Sequence, residues 1–166
     1  MEYHPTVKQI TDLLLSHNYW FETFTHLPVM TSEEAAQMRP GYTLEQGAKA
    51  LIVKIEKRNK EKEYCMLVLP AHLKLNSKKI KQTIDIKNLR FASEEEINTI
   101  TRGIQRGAIP PFGGLFGIKV YVDPLLFANE KIVFNAGDRR FSLAMKSKDY
   151  NTLVMPQLVD MSESCP

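Results

Sequence analysis

The residues with the clearest chemical possibilities lie at positions 107–114, where the chain reads GAIPPFGG. Pro110 and Pro111 fix φ and supply no N–H. Gly107, Gly113 and Gly114 permit positive φ and let another molecule approach the backbone closely. Such a loop is stiff, yet it leaves the N–H groups of Phe112, Gly113 and Gly114 to hold an oxyanion or a small polar ligand. Composition alone favours the plainer reading, a rigid turn between a helix and a strand. Lys49 stands at the entrance of the apolar run Ala50, Leu51, Ile52, Val53. From there a lysine either reaches a phosphate or ribose hydroxyl or snorkels to solvent, and position alone favours the second. Asp123, ahead of Pro124, suits a turn cap as well as a functional role. Gly137 and Asp138 carry turn chemistry. Ser142 has no neighbouring histidine or acid in the sequence, so a nucleophilic triad is not supported. Lys78, Lys79 and Lys81 form a basic helix face, open to an RNA backbone or to solvent alone. Trp20 and the phenylalanines read as core rather than as stacking platforms.

The remaining side chains exclude several classes of function. The histidines at 4, 17, 26 and 72 are scattered, with no metal-ligand spacing. Cys65 lies in an apolar run and reads as a small core residue, and Cys165 near the C-terminus reads as exposed. With no CxxC pair, neither a zinc site nor a disulfide framework is expected. No cofactor or metal is therefore predicted. A net charge of +3 permits an RNA partner without requiring one. No apolar run approaches the roughly 18 residues of a membrane span, and the N-terminus lacks signal-peptide character. A cytoplasmic location with no membrane partner is the expectation.

The elements that must position these residues follow from local signals. The chain of 166 residues is long enough for one domain with its own core. Helices are expected over residues 5–17, 32–38, 76–83, 93–102 and 147–153. The second and fourth open on the capping boxes Thr31/Glu34 and Ser93/Glu96, and Ser147 is expected to cap the fifth. Strands are expected over residues 19–25, 50–56, 63–69, 89–92, 118–122, 132–135 and 141–145. Residues 50–69 read as a β-hairpin across a charged turn. A tight turn is expected at Gly137 and Asp138, and a weakly ordered tail from Pro156. Short helices between many strands predict an α+β (mixed α/β) domain around one sheet, curled and partly barrel-like.

The order of these elements carries a resemblance. TSEEAA at 31–36, GAKAL at 47–51 and LRFASEE at 89–95 are followed by Gly107 and Pro111 at GxxxP spacing. VYVD at 120–123 and FNAG at 134–137 complete the series. The pattern resembles the YbaK/ProX family of aminoacyl-tRNA deacylases, related to the editing domain inserted in bacterial prolyl-tRNA synthetases. It covers about residues 20–155 of a single domain spanning 1–166. The resemblance implies hydrolysis, in trans, of the ester joining a wrong amino acid to tRNA, with tRNA-Pro carrying alanine or cysteine as the expected substrate. It implies an aminoacyl-tRNA CCA end as partner and allows a synthetase as a second one.

Residue by residue, Lys49 falls on the family's lysine near the terminal adenosine. Gly107 and Pro111 fall on the loop lining the amino-acid pocket, and Gly137 on a later loop closing the other side. Lys49, Phe112 and Gly113 are then the catalytic candidates. Thr31, Ala50, Gly107, Pro110, Pro111, Gly114, Gly137 and Asp138 are the substrate-binding candidates. Ala50 replaces the polar residue some members carry after the lysine. An aminoacyl ester is already activated, so placing a water against its carbonyl supplies much of the rate, and the vicinal ribose hydroxyl can help activate that water. The alternatives are a non-catalytic tRNA- or synthetase-binding module using the same pocket, or a hydrolase of another small ester.

Overall fold

The structure, a computed structural model, describes residues 2–166. Five α-helices are found among these residues: α1 Pro5–Ser16, α2 Ser32–Gln37, α3 Ser77–Thr83, α4 Glu94–Thr101 and α5 Ser147–Val154. The strands are β1 Phe21–Thr25, β2 Ala48–Lys57, β3 Lys62–Pro70, β4 Leu73–Leu75, β5 Ile86–Phe91, β6 Lys119–Val122, β7 Lys131–Asp138, β8 Phe141–Lys146, β9 Gln157–Leu158 and β10 Ser162–Ser164. The mixed α+β class read from the sequence is what the chain adopts.

The predicted hairpin is the spine of the larger sheet. β2 and β3 pair antiparallel from Ala48 opposite Pro70 to Glu56 opposite Lys62. The sheet order is β5-β2-β3-β6-β9, with β6 parallel to β3 and β9 parallel to β6. β1, β8 and β7 form a second, antiparallel sheet, and β4 pairs with β10. A lone parallel bridge from Gly47 to Val133 links the two larger sheets. They remain separate sheets, so there is no closed barrel.

Both faces of the hairpin are covered, which is why β3 reads as an unbroken apolar run. Ile52, Met66 and Val68 join a core cluster with Ile10 and Leu14 of α1, Ile97 of α4 and Phe134 and Leu143 of the second sheet. Val53, Leu67 and Leu69 face the other way, onto Ile80 of α3 and Met161 near the C-terminus. One interruption matters for the site. β5 covers β2 only over Val53–Lys57, so no strand of the sheet pairs with Ala48–Ile52 on that side.

Four local expectations are corrected. The tail from 156 is ordered into β9 and β10, with Val159 and Met161 buried. Asp123 holds it: its carboxylate accepts from the Met161 N–H at 3.0 Å and the Ser162 hydroxyl at 2.6 Å while also capping Leu125 N–H. Ser147 does not cap α5. Lys146 is the N-cap residue, and the Ser147 hydroxyl donates to Asn129 O at 2.5 Å. Gly137 and Asp138 are not a turn but the irregular end of β7, where the register shifts between Asn135 and Asp138. Trp20 is 39% exposed, with the Lys131 ammonium 4.4 Å above its ring; the cation–π contact replaces core packing. Cys65 is buried as expected, its thiol pushed up to about 12 by burial first, and Cys165 is exposed.

Candidate functional site

A cleft of about 400 Å³ opens over the first half of β2, on the side that β5 leaves without a partner. Small side chains make its volume: Ala35 and Ala36 of α2, Ala48 and Ala50 of β2, Ala71 and Ala92 all line it. Gly47 and Gly107 line it as well. Met30 and Phe91, 65% and 59% exposed, stand among its lining as apolar groups open to solvent. Among the described residues, the lining includes three cations, Arg39, Lys49 and Arg106, and no carboxylate. A concave, mostly apolar space with a few fixed polar groups is the usual form of a small-ligand site. Its cationic bias favours an anionic or electron-rich occupant.

Lys49 is half-buried on β2, and its amine donates to Leu73 O at 2.6 Å. Burial pulls the Lys49 pKa below the ordinary lysine value, opposed by the charges of Cys165 and Glu33. The amine keeps donors beyond the one given to Leu73, since an ammonium has three. Thr31 caps α2 by accepting from Glu34 N–H at 3.1 Å. The Glu34 carboxylate reaches back to Met30 N–H at 3.4 Å, one residue before the expected position. Thr31, Lys49, Ala50 and Gly107 all line the cleft.

Ile109 of the Pro/Gly loop also lines the cleft, whereas Ala108 and residues 110–114 lie outside the lining. Its expected stiffness has visible causes. Gly107 O accepts from the Asn135 amide at 2.8 Å, and Pro111 O accepts from the buried Tyr150 hydroxyl at 2.6 Å. The Phe112 ring packs edge-on against Phe134 and Tyr150. Its N–H donates to Pro110 O at 2.8 Å, so the N–H read as an oxyanion donor is already engaged. Gly113 is buried against β6, where a Cβ would meet Val120 Cγ2 at 2.6 Å. Pro111 and Phe112 thus brace the loop from behind the wall, and Gly114 is exposed. Gly137 and Asp138 are also outside the lining. Gly137 faces Thr6 of α1, and Asp138 is ion-paired to Arg140 at 2.7 Å.

The sequence reading missed the polar cluster behind the cleft. Arg39, only 6% exposed, donates from Nε to Ser142 Oγ at 3.0 Å and from Nη2 to Asn135 Oδ1 at 3.1 Å. Burial lowers the Arg39 pKa to about 10, which still leaves it charged at neutral pH. Ser142 does have a histidine beside it, with His26 Nε2 at 2.7 Å. Ser142 is fully buried, outside the cleft lining and bonded to Arg39 and Asn135, so it acts as a hydrogen-bond hub, not a nucleophile. One signal was available: Asn135 is a polar residue inside an apolar strand. Arg39, beside Pro40 and Gly41, read only as part of a helix terminator. Among the described residues, no group of three or more His, Cys, Asp or Glu side chains is placed to hold a metal ion. No helix among them is long and apolar enough to cross a membrane.

The mixed α+β fold thus carries a cationic, alanine-lined cleft of a form that suits a small polar ligand. Residues 26–153 match the family model described as the aminoacyl-tRNA editing domain, and the chain belongs to that family. The resemblance read from the motifs is thereby confirmed, and with it membership of a family of aminoacyl-tRNA ester hydrolases. Among curated proteins, the chain is 33% identical over 156 residues to the multifunctional Ser/Thr-tRNA deacylase ProXp-y of Escherichia coli (strain K12), covering 93% of this chain and 92% of the relative. Among solved structures, a candidate trans-editing enzyme for prolyl tRNA synthetase superposes with a TM-score of 0.79 at 20% identity, over 98% of this chain and 100% of that one. A hypothetical protein of solved structure gives 0.80 at 22% identity, over 93% and 99%. At these identities the structures speak to the fold alone.

Proposed function

We propose that this chain is a deacylase acting in trans on aminoacyl-tRNA, hydrolysing the ester of a small, wrongly attached amino acid. The observation that carries this reading is the cleft. In a chain of the editing family, it combines alanine-sized walls with cationic anchors and no carboxylate. The curated relative is named for Ser- and Thr-tRNA, which adds those two amino acids to the alanine and cysteine expected from the motifs. All four side chains are small, and the alanine and glycine walls leave a cleft of about 400 Å³ in which one of them fits beside part of the terminal nucleotide. Hydroxyl-bearing side chains would also find polar partners, since Thr43 and Asn135 line the same space.

In this reading Lys49 holds the terminal phosphate or ribose by charge, and the exposed Phe91 ring offers a surface on which a base stacks. Water attacks the ester carbonyl carbon, the carbon–oxygen bond to the ribose breaks, and the ribose oxygen leaves as a hydroxyl. The vicinal ribose hydroxyl helps take the proton from the water, so no Ser–His–Asp set is required. A pocket discriminates single methylenes by only about 1–3 kcal/mol. A second, size-limited hydrolytic site corrects what the charging step lets through.

The test is a deacylation panel with tRNA charged with Ala, Cys, Ser, Thr, Leu or Phe. Hydrolysis of one or more of the small set, with Leu and Phe spared, is the expected result. Binding of tRNA with no hydrolysis of any ester would instead make the protein a non-catalytic module.

Gly107 gives a sharper test of the cleft wall. It has φ of +88° and a Cβ there would lie 2.9 Å from Met30 O. Gly107→Ala is expected to lower stability by about 1–3 kcal/mol through backbone strain. It should also raise KM by displacing the Met30–Thr31 wall. Thermal denaturation and steady-state kinetics read both; an unchanged KM would separate this wall from substrate contact.

A further inference from the structure

With the Phe112 N–H engaged and Gly113 and Gly114 outside the lining, the cleft needs another donor for the negative charge that develops on the ester oxygen. Arg39 is placed to supply it. The side edge of its guanidinium, Nε and Nη2, is fixed on Ser142 Oγ and Asn135 Oδ1. Nη1 makes no hydrogen bond among the described residues, and no carboxylate there pairs with the group. Arg39 nonetheless lines the cleft. A guanidinium carries five N–H donors in a planar fork, and this one uses its side edge on the protein and leaves its end edge unengaged.

The surrounding network holds that edge still. Ser142 Oγ also lies 2.7 Å from His26 Nε2 and 3.0 Å from Asn135 Oδ1. The Asn135 amide in turn donates to Gly107 O at 2.8 Å, so one cluster fixes both Arg39 and the start of the Pro/Gly loop. The other cations are less suited to the role. Lys49 already spends a donor on Leu73 O, and Arg106 is exposed.

A buried cation without a carboxylate is costly unless something in its site is complementary to it. The neutral ester is a poor complement, but the tetrahedral intermediate and the carboxylate product are good ones. An interaction that strengthens as charge develops is the kind that lowers a barrier. Resting on the deacylase reading above, we propose that Arg39 is a catalytic residue whose free guanidinium edge binds the ester carbonyl oxygen and stabilises it as it becomes negative.

The experiment measures kcat and KM of Arg39→Lys and Arg39→Ala on whichever small aminoacyl-tRNAs the wild-type protein hydrolyses. Thermal denaturation and binding of uncharged tRNA are measured in parallel. A fall in kcat of about 100-fold or more is expected for Arg39→Ala, equal across amino acids, with KM and tRNA affinity within about threefold of wild type. Added methylguanidinium is expected to restore part of the kcat of Arg39→Ala, which a purely structural role would not show. Arg39→Lys, which keeps the charge but not the fork, should fall between the two and serves as the folded variant if the alanine protein is unstable. A loss confined to Ser- and Thr-tRNA would overturn the proposal by making Arg39 a reader of the side chain. A loss of tRNA affinity would overturn it by making Arg39 a phosphate anchor. Unchanged kcat in a folded variant would also overturn it. An inactive wild-type protein would instead defeat the deacylase reading itself.

Discussion

Lys49→Ala is expected to lower kcat/KM for deacylation by roughly 10- to 100-fold while the protein stays folded. The size follows from the interaction removed. A hydrogen bond to a charged group contributes about 1.5–3 kcal/mol, and each 1.4 kcal/mol is a factor of about ten. The fold should tolerate the change because Lys49 is only half-buried and lies where β2 has no outer partner. Truncation leaves Leu73 O without its donor, beside a cleft that water enters. Lys49→Met, which keeps the length of the stem, should be as inactive as Lys49→Ala if charge is what matters.

The pH dependence gives the role an independent readout. Burial, its largest cause, lowers the Lys49 pKa, and the amine supports activity only while protonated. Its advantage over Lys49→Ala should be full at neutral pH and shrink as pH rises through that lowered pKa, earlier than for an ordinary lysine. Near wild-type rates on the aminoacyl-tRNA panel, or a ratio flat with pH to strongly alkaline values, would remove Lys49 from the chemistry.

What was legible in the sequence was whatever had a local cause. The capping box at Ser93 and Glu96 is formed as written, and the apolar run around Cys65 is the buried strand it suggested. The charged turn between residues 57 and 62 does join β2 to β3. The site was legible only in part, and the reason is distance along the chain. Lys49, Ala50, Thr31 and Gly107 carried motif signals and line one cleft. Arg39 acquires its meaning from Ser142 and Asn135, about a hundred residues away, and no local pattern encodes that meeting. The tail was missed for the same reason. β9 and β10 are two and three residues long and are held by β6, by β4 and by the carboxylate of Asp123. Where backbone contacts alone decide, composition misled: the Phe112 N–H is free in a bare Pro/Gly reading and engaged in the folded loop.

Gly137 shows how motif position and physical role come apart, and Gly137→Ala is expected to be the most destabilising single substitution considered for this chain. Gly137 has φ of +109°, which an L side chain rarely adopts. A Cβ there would lie 1.7 Å from Thr6 Oγ1 and 3.0 Å from Thr6 Cβ. Thr6 has no easy retreat, since it is 3% exposed and its hydroxyl donates to Ala136 O at 3.1 Å. Helix α1 would have to lift from β7, carrying Ile10 and Leu14 out of the core cluster. Backbone strain of about 1–3 kcal/mol and overpacking of about 1–3 kcal/mol together give roughly 2–6 kcal/mol. That is a large part of the roughly 5–15 kcal/mol holding a typical domain. Equilibrium denaturation measures the loss, and the double variant Thr6→Ala/Gly137→Ala should recover the clash with Thr6 Oγ1 but neither the close approach of the two Cβ atoms nor the strain at φ. Deacylation per folded molecule should be unchanged, because Gly137 lies outside the cleft lining. A Gly137→Ala protein of normal stability that has lost deacylation would return this glycine to the substrate site. The loss of stability with activity intact would make it the residue that lets α1 seat directly against β7, a role in the fold and not in the chemistry.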